Sequence, residues 1–595
     1  MSTVADDRPH RSIEDAIDLA RRLYGLHIRT CEPLPSERDQ NFLLKTQSDD
    51  SFVLKISSAS EKRDILDLQH QAMARLGAHH GAGIWPKVCQ TGNSEEIATI
   101  DGENGVSYMV RMLTYVPGTP LVNINPQSPD LLENLGTFLG LVGRALEGFS
   151  HSATQRNLKW NMDNGPQVVR TCLKHIANPD QRGLVEHFLH QYETFVVPSL
   201  PFLRRSVIHN DGNDHNVLVD DIDPHDPSCW KRRVVGLIDF GDIVTCYTIA
   251  ELAVSLAYVM LNKSGPIAAA AHVVSGYHRV FPLTEQEIEL LIHFVCMRLC
   301  MSVSISAQQQ QDEPENEYLS VSEAPGWKLL SQLQDMPVNM VHYVFRDACG
   351  LPPCPQTAGI MHWLRSRQES FAPVMGPDVD IANSLVFDLS VGSPELAMAK
   401  NRSDVHETTD ILFRRMRESG AEVGIGRYNE ARQIYTADQF AVDHDELPET
   451  RKIHLGMDLF LEAGAPVHAP LDGIVHSYRN NTDPLDYGPT IILEHRTDED
   501  VPFYTLYGHL SEKSLEGKAE GMPVNQGDLI AWLGDHTVNG GWPPHLHFQI
   551  ITDMLGRTGE FPGVGASSRR RVWLNLAPGP NVLIGVPEDR FPPEE

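Results

Sequence analysis

Two groups of residues in this chain are spaced to do chemistry. The first lies in His209-Asn210-Asp211-Gly212-Asn213-Asp214-His215-Asn216, followed by VLVD and then by VVGLIDFGD, which sets Asp239 between an apolar strand and a glycine. Moving a phosphoryl group takes a carboxylate to orient the attacking hydroxyl and oxygen ligands to hold magnesium against the phosphates. Asp211 suits the first task, and Asn216 and Asp239 suit the second. The short step from Asp211 to Asn216 lets one tight loop supply both base and metal ligand. A cation must also meet the phosphates. Lys55 sits in SFVLKIS, on the second of two strand-like runs joined by a polar turn, where a β-sheet lobe aims a lysine into a nucleotide cleft. The turn from Ser36 to Asn41 is placed to cover the phosphates, and Asn41 is assigned with Lys55 to the cofactor ATP.

The second group is a series of histidine motifs near the C-terminus: His454-Leu455-Gly456-Met457-Asp458, then Tyr507-Gly508-His509-Leu510, then His545-Leu546-His547-Phe548-Gln549-Ile550. Residues two or four apart on a strand project from one face, so His454 can join Asp458, and His545 can join His547. Three protein ligands with an open fourth position mark catalytic rather than structural zinc. His454, Asp458 and His547 supply two imidazoles and a carboxylate for Zn2+. His509 and His545 remain to handle protons and stabilise an oxyanion. His468, His476, His495 and His536 lack motif positions and are read as surface or satisfied core residues.

The elements that must carry these groups can be sketched from pattern. An amphipathic helix covers residues 12–30, strands cover 41–46 and 51–57, and a helix covers 61–77. A strand at 107–114 stops at Val116-Pro117-Gly118-Thr119-Pro120. From there to about 345 the pattern is mostly helical, with a β-rich interruption at 206–244 and a polar surface loop at 308–317. Residues 350–380 begin GLPPCPQ and read as a linker, and one more helix is expected near 405–420. After about 450 the texture becomes short β runs between Gly, Pro, Asn and Asp, which predicts an all-β domain. The expected division is a phosphotransfer domain at 1–348, a linker at 349–380, an extension packed on the zinc-site domain at 381–449 and the zinc-site domain at 450–595.

The pattern HNDGNDHNVLVD…IDFGD with LKIS upstream resembles the aminoglycoside phosphotransferase and choline kinase family, most of all its hydroxylysine kinase-type branch, over residues 15–345. The resemblance implies an α+β, two-lobed, protein-kinase-like fold with ATP between the lobes. It also implies Asp211 as base, Asn216 and Asp239 on Mg2+, and Lys55 on the phosphates. The chain departs from a kinase pattern in having no glycine in the nucleotide loop. On the helix after Lys55 stand Glu61, Asp64, Asp67, Gln69 and Gln71, and which of them faces the lysine stays open. The histidine motifs, with GAPVHAPLDGIV before them and NGGWPPHLHFQI around the last, resemble the lysostaphin/LytM-type zinc metallopeptidases over residues 450–555. That resemblance implies a compact antiparallel β fold of the duplicated hybrid motif type. It gives zinc to His454, Asp458 and His547 and the catalytic roles to His509 and His545. Longer proteins with the same module order carry a third module like class III aminotransferases. This sequence ends in VLIGVPEDRFPPEE, about where such a module would begin, and has no pyridoxal-phosphate lysine motif, so that cofactor is not assigned, and a class III aminotransferase-like module or protein is an expected partner.

Bulk properties narrow the partners. A formal net charge of -30 argues against nucleic acid, whose phosphates need a basic surface, and against an anionic membrane. No apolar h-region opens the chain and no run approaches the ~18–20 apolar residues that span a bilayer. Nine cysteines without a framework suit reduced thiols. The expectation is a cytoplasmic enzyme acting on a small amine or amino-alcohol with one module and on a peptide with the other. The competing readings are a kinase whose peptidase-like domain binds peptides or regulates, and a scaffold with neither activity.

Overall fold

A computed structural model describes residues 8–36, 39–80, 85–102, 106–222, 231–312, 323–393, 404–435, 438–442 and 449–592. The chain divides into two compact units, Met1–Met336 and Pro337–Glu595.

In the first unit, helix α1 (Ile13–Tyr24) starts with a capping box in which Ser12 and Asp15 satisfy each other's backbone N–H groups. It lies on a mixed-length antiparallel sheet in the order β1 (Ile28–Leu34), β2 (Gln40–Thr46), β3 (Ser51–Ile56), β6 (Ser107–Thr114), β4 (Val88–Cys89), with β5 (Ala98–Asp101) also on β6. Strand alternation sends Phe42, Leu44, Leu54, Ile56, Val110 and Met112 to one face, against Ala16, Leu19 and Ala20 of α1. The opposite face carries the polar residues of the site. Helix α2 (Arg63–His80) follows β3.

The rest of this unit is helical around short β pairs. Helices α3 (Pro129–Leu146) and α5 (Pro266–Val280) cross at backbone contact, because a Cβ at Gly136 would lie 1.9 Å from the carbonyl of Val273. Strands β7 (Arg205–Ile208) and β10 (Val244–Tyr247) pair, as do β8 (Val217–Val219) and β9 (Val234–Leu237). Between β7 and β8 lies the Asp211 loop, and β9 runs into Asp239. Helix α4 (Thr248–Val259) is buried along most of its length. Helix α6 (Glu285–Asp312) runs past residue 308, so the start of the expected polar loop is helical and the remainder lies outside the described residues. By length and composition α6 could cross a membrane, contrary to the expectation that no run approached that length, but 89% of its apolar stretch is buried.

In the second unit an eight-stranded sheet has the order β11 (Ser384–Phe387), β12 (Val423–Gly426), β13 (Met457–Phe460), β18 (His545–Ile551), β16 (Pro502–Gly508), β15 (Gly488–Arg496), β14 (Gly473–Asn481), β17 (Pro523–Val524). Only β11 and β12 pair in parallel, joined by helix α8 (Val405–Ser419). Two boundaries differ from the sequence reading. The units part at Met336/Pro337 rather than after 348. Residues 349–380 are no free linker, since Ile360, Met361 and Leu364 of helix α7 (Thr357–Arg365), with Val374 and Met375, are buried in the second unit's core. The prolines that suggested a linker flank a helix with an apolar face. The C-terminal Leu583, Ile584 and Val586 join the same core.

Candidate active sites

In the first unit the loop after β7 turns sharply at Asn210, whose φ of 68 is left-handed. Such backbone persists only where neighbours enforce it. Here the Asn210 N–H donates to Glu251 Oε2 (3.2 Å) and its side-chain amide to the Trp160 carbonyl (3.3 Å). Glu251 is buried, which pushes its pKa up to about 7. Asp211 follows. Its Oδ1 accepts from Asn213 (2.9 Å) and its Oδ2 from Asn216 Nδ2 (2.7 Å). Spending Nδ2 on Asp211 leaves the Asn216 Oδ1 as the oxygen available to a cation. Burial pushes the Asp211 pKa up to about 7, with the nearby Arg298 guanidinium, Nη2 3.3 Å from Oδ1, pulling it down. Asp239 also adopts left-handed φ (60), and its Oδ1 accepts from Gly241 N–H (3.1 Å). Lys55 holds its carboxyl below the ordinary value. An ionised Asp239 and a free amide oxygen make the all-oxygen donor set that magnesium prefers. Among the residues of the Ser36–Asn41 turn, Glu37 and Arg38 lie outside the described residues. Asn41 is buried on β2, opposite Lys55.

In the second unit strand pairing assembles the histidine motifs. Asp458 of β13 stands directly opposite His547 of β18, and His547 opposite Gly508 of β16, next to His509. His454 Nε2 lies 3.1 Å from His547 Nδ1 and 3.2 Å from Asp458 Oδ1, and His547 Nδ1 lies 3.3 Å from that same oxygen. A tetrahedral ion with bonds of about 2.0–2.1 Å places its ligands roughly 3.3–3.4 Å apart, so these three buried groups fit zinc as they stand. Each imidazole has its other nitrogen tied down. His454 Nδ1–H donates to the Arg427 carbonyl (2.8 Å) and His547 Nε2–H to Gln549 Oε1 (3.0 Å). His509 and His545 donate from Nδ1 to the carbonyls of Asn539 (2.8 Å) and Pro543 (2.7 Å), which turns both Nε2 atoms inward, that of His545 to 3.6 Å from Asp458 Oδ1. His509 does so from left-handed φ (64). Burial lowers the pKa of His454 to about 4 and lowers those of His509 and His545. Against its own burial, Asp458 is held well below the ordinary carboxylate value by His454 and Arg432. Neutral imidazoles and an ionised carboxylate are the states a metal needs. The cluster opens into a cavity of about 640 Å³, walled partly by Leu389, Leu412 and Phe440 of the segment before the motifs.

The structure therefore brings Asp211, Asn216 and Asp239 close to Lys55 and Asn41 in one unit, and His454, Asp458, His509, His545 and His547 together in the other. It also adds residues that motif reading missed. Arg432 is buried and donates from Nη1 to Asp458 Oδ2 (2.7 Å) and from Nε to Glu430 (2.8 Å), which leaves Oδ1 toward the histidines. Arg298 lies beside Asp211, over the Trp160 ring (4.5 Å). Arg111 is buried on β6. Arg111 and Arg298 stand alone in apolar runs, RMLT after SYMV and RLCM after LIHFVCM, and a lone charge in such a run was the available signal. His495 is a satisfied core residue, bonded to Asp472 O and Thr505 Oγ1.

Comparison with known proteins finds a separate match within each unit. Residues 30–283 match the phosphotransferase enzyme family, and residues 452–557 match peptidase family M23. A hydroxylysine kinase of Xenopus laevis is 32% identical over 350 residues, covering 56% of this chain and 93% of the relative. An uncharacterized metalloprotease of Haemophilus influenzae is 30% identical over 129 residues, 21% of this chain and 25% of that protein. Among solved structures, an amicoumacin kinase aligns with a TM-score of 0.42 and 15% identity, covering 54% of this chain and 94% of its own.

Proposed function

We propose, for a chain that belongs to the phosphotransferase enzyme family of the hydroxylysine kinases and carries a peptidase family M23 domain, that both sites are active: one transfers the γ-phosphate of ATP to a hydroxyl on a small amine or amino acid, and the other hydrolyses an amide. The observation that carries the first half is the Asp211–Asn216 bond of 2.7 Å beside Asp239, which sets a carboxylate and two oxygen ligands in one loop cluster. Asp211 accepts the proton of the substrate hydroxyl as its oxygen attacks the γ-phosphorus, and ADP leaves in line with it. Lys55 meets the phosphates, and Asn41 lines the same face. Magnesium, held by Asn216 and Asp239, supplies neutralisation of phosphate charge when bound. Hydroxylysine-like amino acids lead the acceptor classes, supported by the named relatives, with ethanolamine- and choline-like alcohols next. A screen of ATP consumption over these acceptors tests the reading. Stimulation by an amino-alcohol is expected, and no stimulation by any of them rejects it.

The second half is carried by the three ligand atoms of His454, Asp458 and His547 lying within 4.8 Å of one another. Zinc held there supplies Lewis-acid polarisation of the scissile carbonyl. His509 and His545 line the cavity with Nδ1 committed to backbone, which leaves Nε2 on each for chemistry, one to take a proton from the attacking water and one to steady the developing oxyanion or return a proton to the leaving amine. The need for ATP supports a cytosolic setting and an intracellular peptide or amide substrate. Cleavage of short peptides but not of intact peptidoglycan is the expected result. A class III aminotransferase-like partner is supported only by the module order.

A further inference from the structure

In the first unit Asn41 stands opposite Lys55, and Lys55 opposite Arg111, across β2, β3 and β6. Directly opposed residues of antiparallel strands share a face, so the three make one polar row. Their sequence neighbours Phe42, Leu54, Ile56, Val110 and Met112 point the other way, into the core under α1. Arg111 is 2% exposed and Asn41 9%. Arg111 Nη2 donates to the neutral Gln69 Oε1 of α2 (2.6 Å), while its Nε and Nη1, like Asn41 Oδ1, have no hydrogen-bond partner among the described residues. Burial lowers the Arg111 pKa, and Asp39, Asp239 and Glu61 offset that only in part. Buried charges are ordinarily paired, and buried N–H groups ordinarily bonded.

In protein kinases the strand lysine is held by a glutamate of the following helix. The α2 side chain that hydrogen-bonds Arg111 is Gln69, an amide, which fixes the guanidinium without neutralising it. The row borders Asp239, since Lys55 and Arg111 both act on that carboxylate. What is missing is an anion with several acceptor oxygens, and a phosphate meets a guanidinium's N–H groups two at a time.

We propose that Arg111 is a second cation of the nucleotide site, which meets the polyphosphate of ATP together with Lys55 while Gln69 holds its guanidinium in place. This rests on the kinase reading above. Titration calorimetry of ATP and of AMP on the full chain separates it from a structural role. Arg111→Met is expected to weaken ATP tenfold or more and AMP less than twofold, with Arg111→Lys recovering part of the loss. Gln69→Glu, which gives Arg111 a carboxylate without emptying the site, is expected to weaken ATP several-fold and leave AMP and the Tm unchanged; it serves also if Arg111→Met does not fold. Equal losses for both nucleotides in the variants, or ATP affinity unchanged in Gln69→Glu, would overturn the proposal. A wild-type chain that binds neither nucleotide would instead remove the kinase reading, and this inference with it.

Discussion

Around Asp458 every imidazole has one nitrogen committed to a protein acceptor and the other turned inward, and Arg432 occupies the carboxylate oxygen that the histidines do not face. Around Lys55 the protein leaves its groups unfinished, with buried N–H groups on Arg111 and an amide oxygen on Asn41 that find no hydrogen-bond partner among the described residues. The difference follows from what each site receives. An ion brings charge and little else, so its ligands must be oriented in advance by a surrounding shell. A nucleotide brings a dozen acceptors of its own and can complete hydrogen bonds the lobe leaves open. One site is thus built tight, on strands, and the other on a loop and a sheet face that wait for the ligand.

The comparison breaks most visibly at the groups that touch the reaction. Asp211→Asn is expected to lower phosphoryl transfer by roughly 10²–10⁴-fold, the usual worth of a positioned base, while amide hydrolysis is untouched. His454→Ala does the reverse. With two ligands left, zinc content by atomic absorption falls from one per chain toward none, and ATP-dependent phosphorylation keeps its rate. Retained stoichiometric zinc in that variant would mean the ligands are misassigned. Arg432→Met sharpens the contrast by removing support rather than a ligand: chelator competition should show zinc affinity about 10–100-fold weaker. Adding a Cβ at Gly456, which would sit 2.6 Å from His547 Nε2, should displace that ligand in the same direction.

A smaller effect is pH-dependent. His495, away from both sites, is neutral when folded because burial depresses its pKa from 6.5 to about 4. Between those values the unfolded chain binds the extra proton, so the stability of the second unit is whole above the upper value and declines as pH falls toward the lower. The loss is about 3 kcal/mol, and His495→Gln should flatten the fall in Tm between pH 6.5 and 4. Smallest of all, Ser12→Ala removes half of the α1 capping box, at about 1 kcal/mol of first-unit stability.

The motifs HNDGNDHN, IDFGD, HLGMD, YGHL and HLHFQI were legible because their geometry is local: a turn or a strand face sets which side chains converge. The strand 107–114 and the helix near 405–420 were legible for the same reason, as alternation and helical period respectively. Arg432 was not, because its partner Asp458 lies 26 residues on, in a segment with no motif. Gln69 could not be chosen from the five polar residues between Glu61 and Gln71 until Arg111, 42 residues away, was placed beside it. The apparent linker at 349–380 misled because prolines mask the apolar face of Thr357–Arg365, whose burial depends on strands far along the chain.

The central claim is that one chain holds two catalytic centres sharing no residue. Removing metal from the wild-type protein with a zinc-selective chelator, then following both reactions in excess magnesium, tests it most directly. Hydrolysis should fall to background and return with one equivalent of zinc per chain, while the rate of ATP-dependent phosphorylation stays constant throughout. Phosphorylation that falls in step with zinc loss, or hydrolysis that survives it, would contradict the account.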